Sequence, residues 1–158
     1  MSDIYGRIRH DESEGIRFGK LFAEIYYYMG KNILEAMGED AGSKVIEKAV
    51  KEFAELRIKS MKEEAEEKGI VVKNMSDFFQ IRDMPDCGWR NGDERGVVLN
   101  CLFDEVWKKY GDTGRTLEKL YCKIDFDLFK AFGFHLERPE CKCFGDANCR
   151  FILTRADD

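Results

Sequence analysis

From Ile16 to Met37 apolar side chains recur at Ile16, Leu21, Phe22, Ile25, Met29, Ile33 and Met37, mostly at the three- and four-residue steps that stack on one helical face. Gly38 punctuates the run, as glycine does past a helix end. A second, longer helix is expected from about Ala41 to Lys68, with Ile46, Ala49, Val50, Phe53 and Leu56 as its buried stripe. Its polar face offers Glu47–Lys51, Glu55–Lys59 and Glu64–Lys68 in the favourable Glu-first order. Such pairs contribute only about 0.2–0.5 kcal/mol each, so the acidic run Glu63–Glu67 reads as a solvated helix end rather than a docking site.

After Gly69 the period shortens. Ile70-Val71-Val72 is β-branched, and Phe78–Arg82 reads as a strand, although Ser76-Asp77 resembles a helix cap. Asp86–Asp93 is a loop, and Gly96–Leu102 is the clearest strand; it delivers Cys101 ahead of a helix from about Phe103 to Tyr110. Gly111-Asp112-Thr113-Gly114 is expected to break that helix. The last helix begins near Thr113 or Arg115 and buries Leu117, Leu120, Tyr121, Ile124 and Leu128. Beside that face runs a second stripe, Glu118, Cys122, Asp125 and Phe129. It either lines a pocket or is a half-exposed flank with one small buried thiol.

Phe134–Glu137 and Arg150–Thr154 have strand composition and flank Phe144–Asn148, in which Gly145-Asp146 signals a tight turn. This predicts a hairpin with a cysteine on each arm, packed on the helix that carries Cys122. Cross-strand neighbours approach to roughly 5 Å, so Cys141 and Cys149 can meet. The pattern as a whole predicts an α+β fold: long N-terminal helices and a late helix packed on an antiparallel sheet. One domain over residues 1–158 is expected, with a polar segment to 15, a helical part over 16–69, and sheet, late helix and hairpin over 70–158.

Composition narrows the function classes. Apolar residues make up 44% of the 158, which supports a packed core, and the net charge of −5 gives no basic footprint for nucleic acid. No apolar run is long enough to span a membrane, and the N-terminus carries no signal peptide. Six cysteines without a secretion signal read as thiols or metal ligands, which points to the cytoplasm. The aromatic first helix, with Tyr26-Tyr27-Tyr28, has more apolar surface than a small domain leaves exposed, so a homodimer is expected.

Two chemistries fit the polar residues. Zinc takes four N, S or O ligands, and Cys122, Cys141 and Cys149 supply three, with Cys143, Glu137, Glu140 or Asp125 as the fourth. An iron or iron–sulfur centre would use the same thiolates. Hydrolysis needs a thiolate held below its usual pKa of about 8.5 by a base or a positive field. Cys101, at a strand end before a helix, is one such place; Cys122 with Asp125 is another, and His135 is a further candidate base.

A family resemblance rests on Asn100-Cys101 after a strand, Leu120-Tyr121-Cys122-Lys123-Ile124-Asp125, and Gly145-Asp146 with Cys149-Arg150-Phe151. This order, with Met37-Gly38-Glu39-Asp40-Ala41 and the charged helix after it, resembles the L-2-amino-thiazoline-4-carboxylic acid hydrolases. The resemblance implies opening of a small cyclic C–N ring, a thiazoline carboxylate going to an N-carbamoyl cysteine, and it marks Cys122 and Asp125. The hairpin is also similar to 4-vinyl reductase domains, of the same broad superfamily as a ligand-binding subunit of the Golgi transport particle. Their Cys, Gly-Asp, Cys pattern is met by Cys141, Gly145, Asp146 and Cys149. That likeness implies the alternative, a non-catalytic small-ligand- or metal-sensing module with zinc at the hairpin. Arg138 stands where such modules place a zinc-binding Glu.

Overall fold

The computed structural model describes residues 7–157. Helix α1 (Glu14–Met37) starts two residues earlier than its apolar spacing suggests, because Ser13 caps it by accepting the Ile16 N–H at 3.3 Å. The chain turns at Gly38, where φ is 84°, and α2 (Glu39–Glu67) packs back along α1. The buried line of α2 is Ile46, Val50, Ala54, Arg57, Met61 and Ala65, while Leu56 is exposed. An arginine can hold a place in that line because Asp83 takes both its Nε–H and Nη2–H, at 2.9 and 2.7 Å. Of the three expected Glu-first pairs only Glu64–Lys68 forms. Lys48–Glu52 and Lys59–Glu63 form as well, and Glu47 reaches across to Lys123.

Phe78–Arg82 is not a strand. Asn74 and Asp77 make a reciprocal capping box, and the short helix α3 (Met75–Phe79) turns Phe78 inward against Phe129 and Phe132. The short strand β1 (Arg90–Asn91) and β2 (Val97–Asn100) lead to α4 (Leu102–Trp107), followed by a 3-10 turn over Lys108–Tyr110.

The run from α4 ends at Gly111, where φ is 63°, as expected, and the same glycine-bearing stretch opens α5 (Gly111–Cys122). A side chain at Gly114 would stand 1.9 Å from the Trp107 carbonyl oxygen, so only glycine lets α5 cross the end of α4 this closely. The expected single late helix is two, since the chain kinks at Lys123 before α6 (Ile124–Ala131). That joint is where Cys122 and Asp125 lie.

The sheet is antiparallel with order β1-β2-β4-β3, where β3 is Phe134–Glu140 and β4 is Cys149–Arg155. Register runs from Phe134↔Arg155 to Glu140↔Arg150, with an irregularity between Glu137 and Glu140. The connection is longer than a tight Gly-Asp turn: Lys142–Phe144 forms a 3-10 turn, and Gly145 then takes a left-handed φ of 92°. Asp146 holds this loop by accepting the Cys141 N–H at 2.9 Å. On its other side β4 pairs with β2, Val98 opposite Cys149, which brings the strand before Cys101 to the hairpin.

Helices and sheet therefore form the α+β arrangement that the sequence predicts. Among the helices lies an aromatic layer of Phe22, Tyr26, Phe53, Phe103, Trp107 and Tyr121, with ring centroids 5.1–6.1 Å apart. Its polar atoms are satisfied: Trp107 donates to Ala23 O at 2.8 Å and Tyr26 to Leu117 O at 2.6 Å. Among the described residues no helix is long and apolar enough to cross a membrane.

Candidate functional site

Four cysteines from two distant stretches meet behind this layer. Cys141 Sγ and Cys143 Sγ are 2.7 Å apart, and Cys141 also takes hydrogen bonds from Cys122 and Cys149. Cys149 Sγ in turn accepts the Lys142 N–H at 3.3 Å. With three thiols around it and Arg138 nearby, Cys141 is held below the usual thiol range. Its donors respond in the opposite sense: Cys122 is raised by its hydrogen bonds to Cys141 and Cys143 and by burial, and Cys149 by its bond to Cys141.

Cys101 joins the group from β2, receiving the Trp89 indole N–H at 3.3 Å. Burial pushes this thiol up to about 11, against the help of backbone N–H groups at the start of α4. The helix terminus therefore does not make it anionic, contrary to the sequence expectation, because desolvation is the larger effect.

Asp125 completes the centre. Arg138 donates to its Oδ2 at 3.0 Å and, from the same nitrogen, to the Cys122 carbonyl at 3.0 Å. Burial raises the Asp125 pKa, while Arg138, Arg57 and Arg82 oppose the rise. Asp125 sits deep in the fold yet keeps 31% of its side chain accessible. Cys101 and Cys122 are likewise deep without being sealed. Two open grooves, of about 340 and 410 Å³, lie away from the cysteines: one between α2 and the α5–α6 joint, the other between α1 and the end of α4.

A second polar knot braces the thiols. One nitrogen of Arg115 donates to Asp104 at 3.0 Å, to Glu118 at 2.6 Å and to the Lys142 carbonyl at 2.5 Å. Asp104 is three residues after Cys101, Glu118 is four before Cys122, and Lys142 lies between Cys141 and Cys143. One guanidinium thus ties together the segments that carry Cys101, Cys122, Cys141 and Cys143.

Of the sequence candidates, Cys101, Cys122, Asp125, Cys141, Cys143 and Cys149 are brought together. His135 is not: its side chain is on the exposed side of β3, 3.6 Å from Glu137, because Phe134 and Leu136 take the inward positions. Asp104, Arg115, Arg138 and the Arg57–Asp83 pair went unpredicted; the one sequence signal was Glu118 on the stripe with Cys122. Among the described residues, no group of three or more His, Cys, Asp or Glu side chains is arranged so that it could hold a metal ion as it stands.

A family description for L-2-amino-thiazoline-4-carboxylic acid hydrolase matches residues 19–153. The chain belongs to this family. The match takes in all six cysteines, both polar knots and the whole sheet except the last residues of β4. Searches of curated proteins and of solved structures return no match.

Proposed function

We propose that the protein is a hydrolase that opens a small thiazoline carboxylate ring, working as a cytoplasmic homodimer joined through the exposed face of α1. The observation that carries this reading is Cys122, hydrogen-bonded to Cys141 and tied to Asp125 by one Arg138 nitrogen that donates to the Cys122 carbonyl and to the Asp125 carboxylate. In this reading Cys122 Sγ adds to the ring carbon between nitrogen and sulfur while its proton passes to the ring nitrogen. The carbon–sulfur bond then breaks, and the ring sulfur takes that proton and leaves as a thiol. Water, deprotonated by Asp125, adds to the isothiourea left on Cys122, and Cys122 departs with the proton returned. A carbamoyl product keeps the ring carbon on nitrogen, so the bond that opens is carbon–sulfur rather than the carbon–nitrogen bond expected from the sequence. Arg138 holds Asp125 in place throughout.

The test uses L-2-amino-thiazoline-4-carboxylate and follows the free thiol that ring opening releases. Cys122→Ser should slow the reaction by about 10²-fold or more, the usual worth of a positioned catalytic group. His135→Ala should leave the rate unchanged. A wild-type protein that opens no ring refutes the reading.

One observation favours a second reading, a non-catalytic ligand- or metal-sensing module: four thiols gathered on one sulfur are the soft donor set that zinc or an iron–sulfur centre takes. As they stand the sulfurs do not fit zinc. Two thiolates on one tetrahedral zinc lie about 3.8 Å apart, from a bond length of about 2.3 Å, whereas Cys141 and Cys143 are at 2.7 Å. Elemental analysis after anaerobic, chelator-free purification decides the matter. Stoichiometric zinc or iron, lost in the Cys141→Ser/Cys149→Ser double variant, would establish the sensor reading; metal-free protein removes it.

A further inference from the structure

Three arginines bias Asp125, and two of them are already committed. Arg138 is hydrogen-bonded to Asp125 itself, and Arg57 is held through two bonds by Asp83. The third, Arg82, has no carboxylate within ion-pair distance among the described residues. Its guanidinium is nonetheless fixed, 5.1 Å from the Trp89 ring centroid and 5.8 Å from that of Phe79. Trp89 is the residue whose indole N–H reaches Cys101 Sγ, so the stacked cation sits one aromatic ring away from the thiols. Arg82 is also close enough to Asp125 to oppose the rise in its pKa, although it is itself exposed.

An exposed guanidinium resting over aromatic faces, with no carboxylate partner among the described residues, is placed to take a carboxylate by two parallel hydrogen bonds. Its neighbour Asp83 cannot supply that carboxylate, since Arg57 occupies both of its oxygens. We propose that Arg82 is the specificity-determining residue of this site, receiving the carboxylate of a small cyclic amino-acid-like substrate. The inference rests on the ring-opening reading for its substrate class. It adds the group that distinguishes the ring acid from the same ring without its carboxylate.

The experiment is calorimetric binding of L-2-amino-thiazoline-4-carboxylate and of 2-amino-2-thiazoline, the ring lacking the carboxylate, to the wild type, Arg82→Ala and Arg82→Lys, with ring opening measured in parallel. The wild type should bind the carboxylate ring about tenfold or more tightly than the bare ring, the worth of one charge-assisted pair. Arg82→Ala should abolish that preference while leaving affinity for the bare ring unchanged. Arg82→Lys, which keeps charge but not the planar fork, should recover only part of it. A wild type with no preference, or an Arg82→Ala protein that keeps it, overturns the proposal. Binding with the stated preference but no ring opening would refute the hydrolase reading and leave Arg82 as the carboxylate receptor. Ring opening whose preference ignores Arg82 would do the reverse.

Discussion

Glu118 is 2% exposed and shares Arg115 with Asp104. Burial and the nearby Asp104 raise its pKa from 4.5 to about 8, despite the guanidinium. Between those two values the folded protein keeps a proton that the unfolded chain has released. Stability therefore falls as pH rises through that window, by about 1.4 kcal/mol per pH unit, and stops falling above a pH of about 8. Glu118→Gln stays uncharged at every pH, so its melting temperature should decline less than that of the wild type across the same range. Parallel profiles for the two proteins would show that the proton is not held there. The presence of Glu118 beside Cys122 and Asp125 was legible, because helical spacing puts the three on one stripe. Their cations were not, since nothing in local spacing says that Arg115 crosses to Lys142 or that Arg138 folds back on the α5–α6 joint. His135 shows the opposite failure: composition suggested a base, and strand alternation turned it outward.

At the scale of elements, the long helices and the hairpin could be read from their periods, which are long enough to outweigh local exceptions. Misreadings fell where a few residues decide the outcome. Phe78–Arg82 has strand composition, but the Asn74–Asp77 capping box lies outside that window and starts a helix first. The late helix has an unbroken apolar face across Lys123, and only tertiary packing reveals the kink. That kink has a functional consequence. A straight helix would keep Cys122 and Asp125 less than a turn apart on one rigid flank, whereas the joint lets Arg138 bridge the carbonyl of one and the carboxylate of the other. The hairpin likewise needed more than its Gly-Asp signal. The 3-10 turn over Lys142–Phe144 aims Cys143 back at Cys141, which a two-residue turn leaves no chain to do.

For the whole molecule, the unpartnered surface lies on α1. Phe18, Leu21, Ile25 and Tyr28 are all at least 50% exposed. Their three-four-three spacing is that of a helix seam, which packs best against another helix of the same kind, and Asn32 continues it with a polar residue of the sort that sets register. Tyr26 and Tyr27 are not available to this surface: Tyr26 bonds Leu117, and Tyr27 stacks on Tyr110 with centroids 3.6 Å apart. The two aromatics expected to serve both core and interface thus serve the core, leaving the seam to the four exposed side chains. A second copy is the partner that carries a matching seam, and a two-fold axis would pair it with itself. Light scattering at micromolar concentration should therefore give twice the chain mass, and Leu21→Glu/Ile25→Glu should give the monomer. Both changes are on exposed positions of a helix anchored elsewhere by its buried face, so the variant should keep its melting temperature to within about 0.5 kcal/mol of stability for each surface change. A wild type that scatters as a monomer refutes the dimer, as does a variant that remains dimeric.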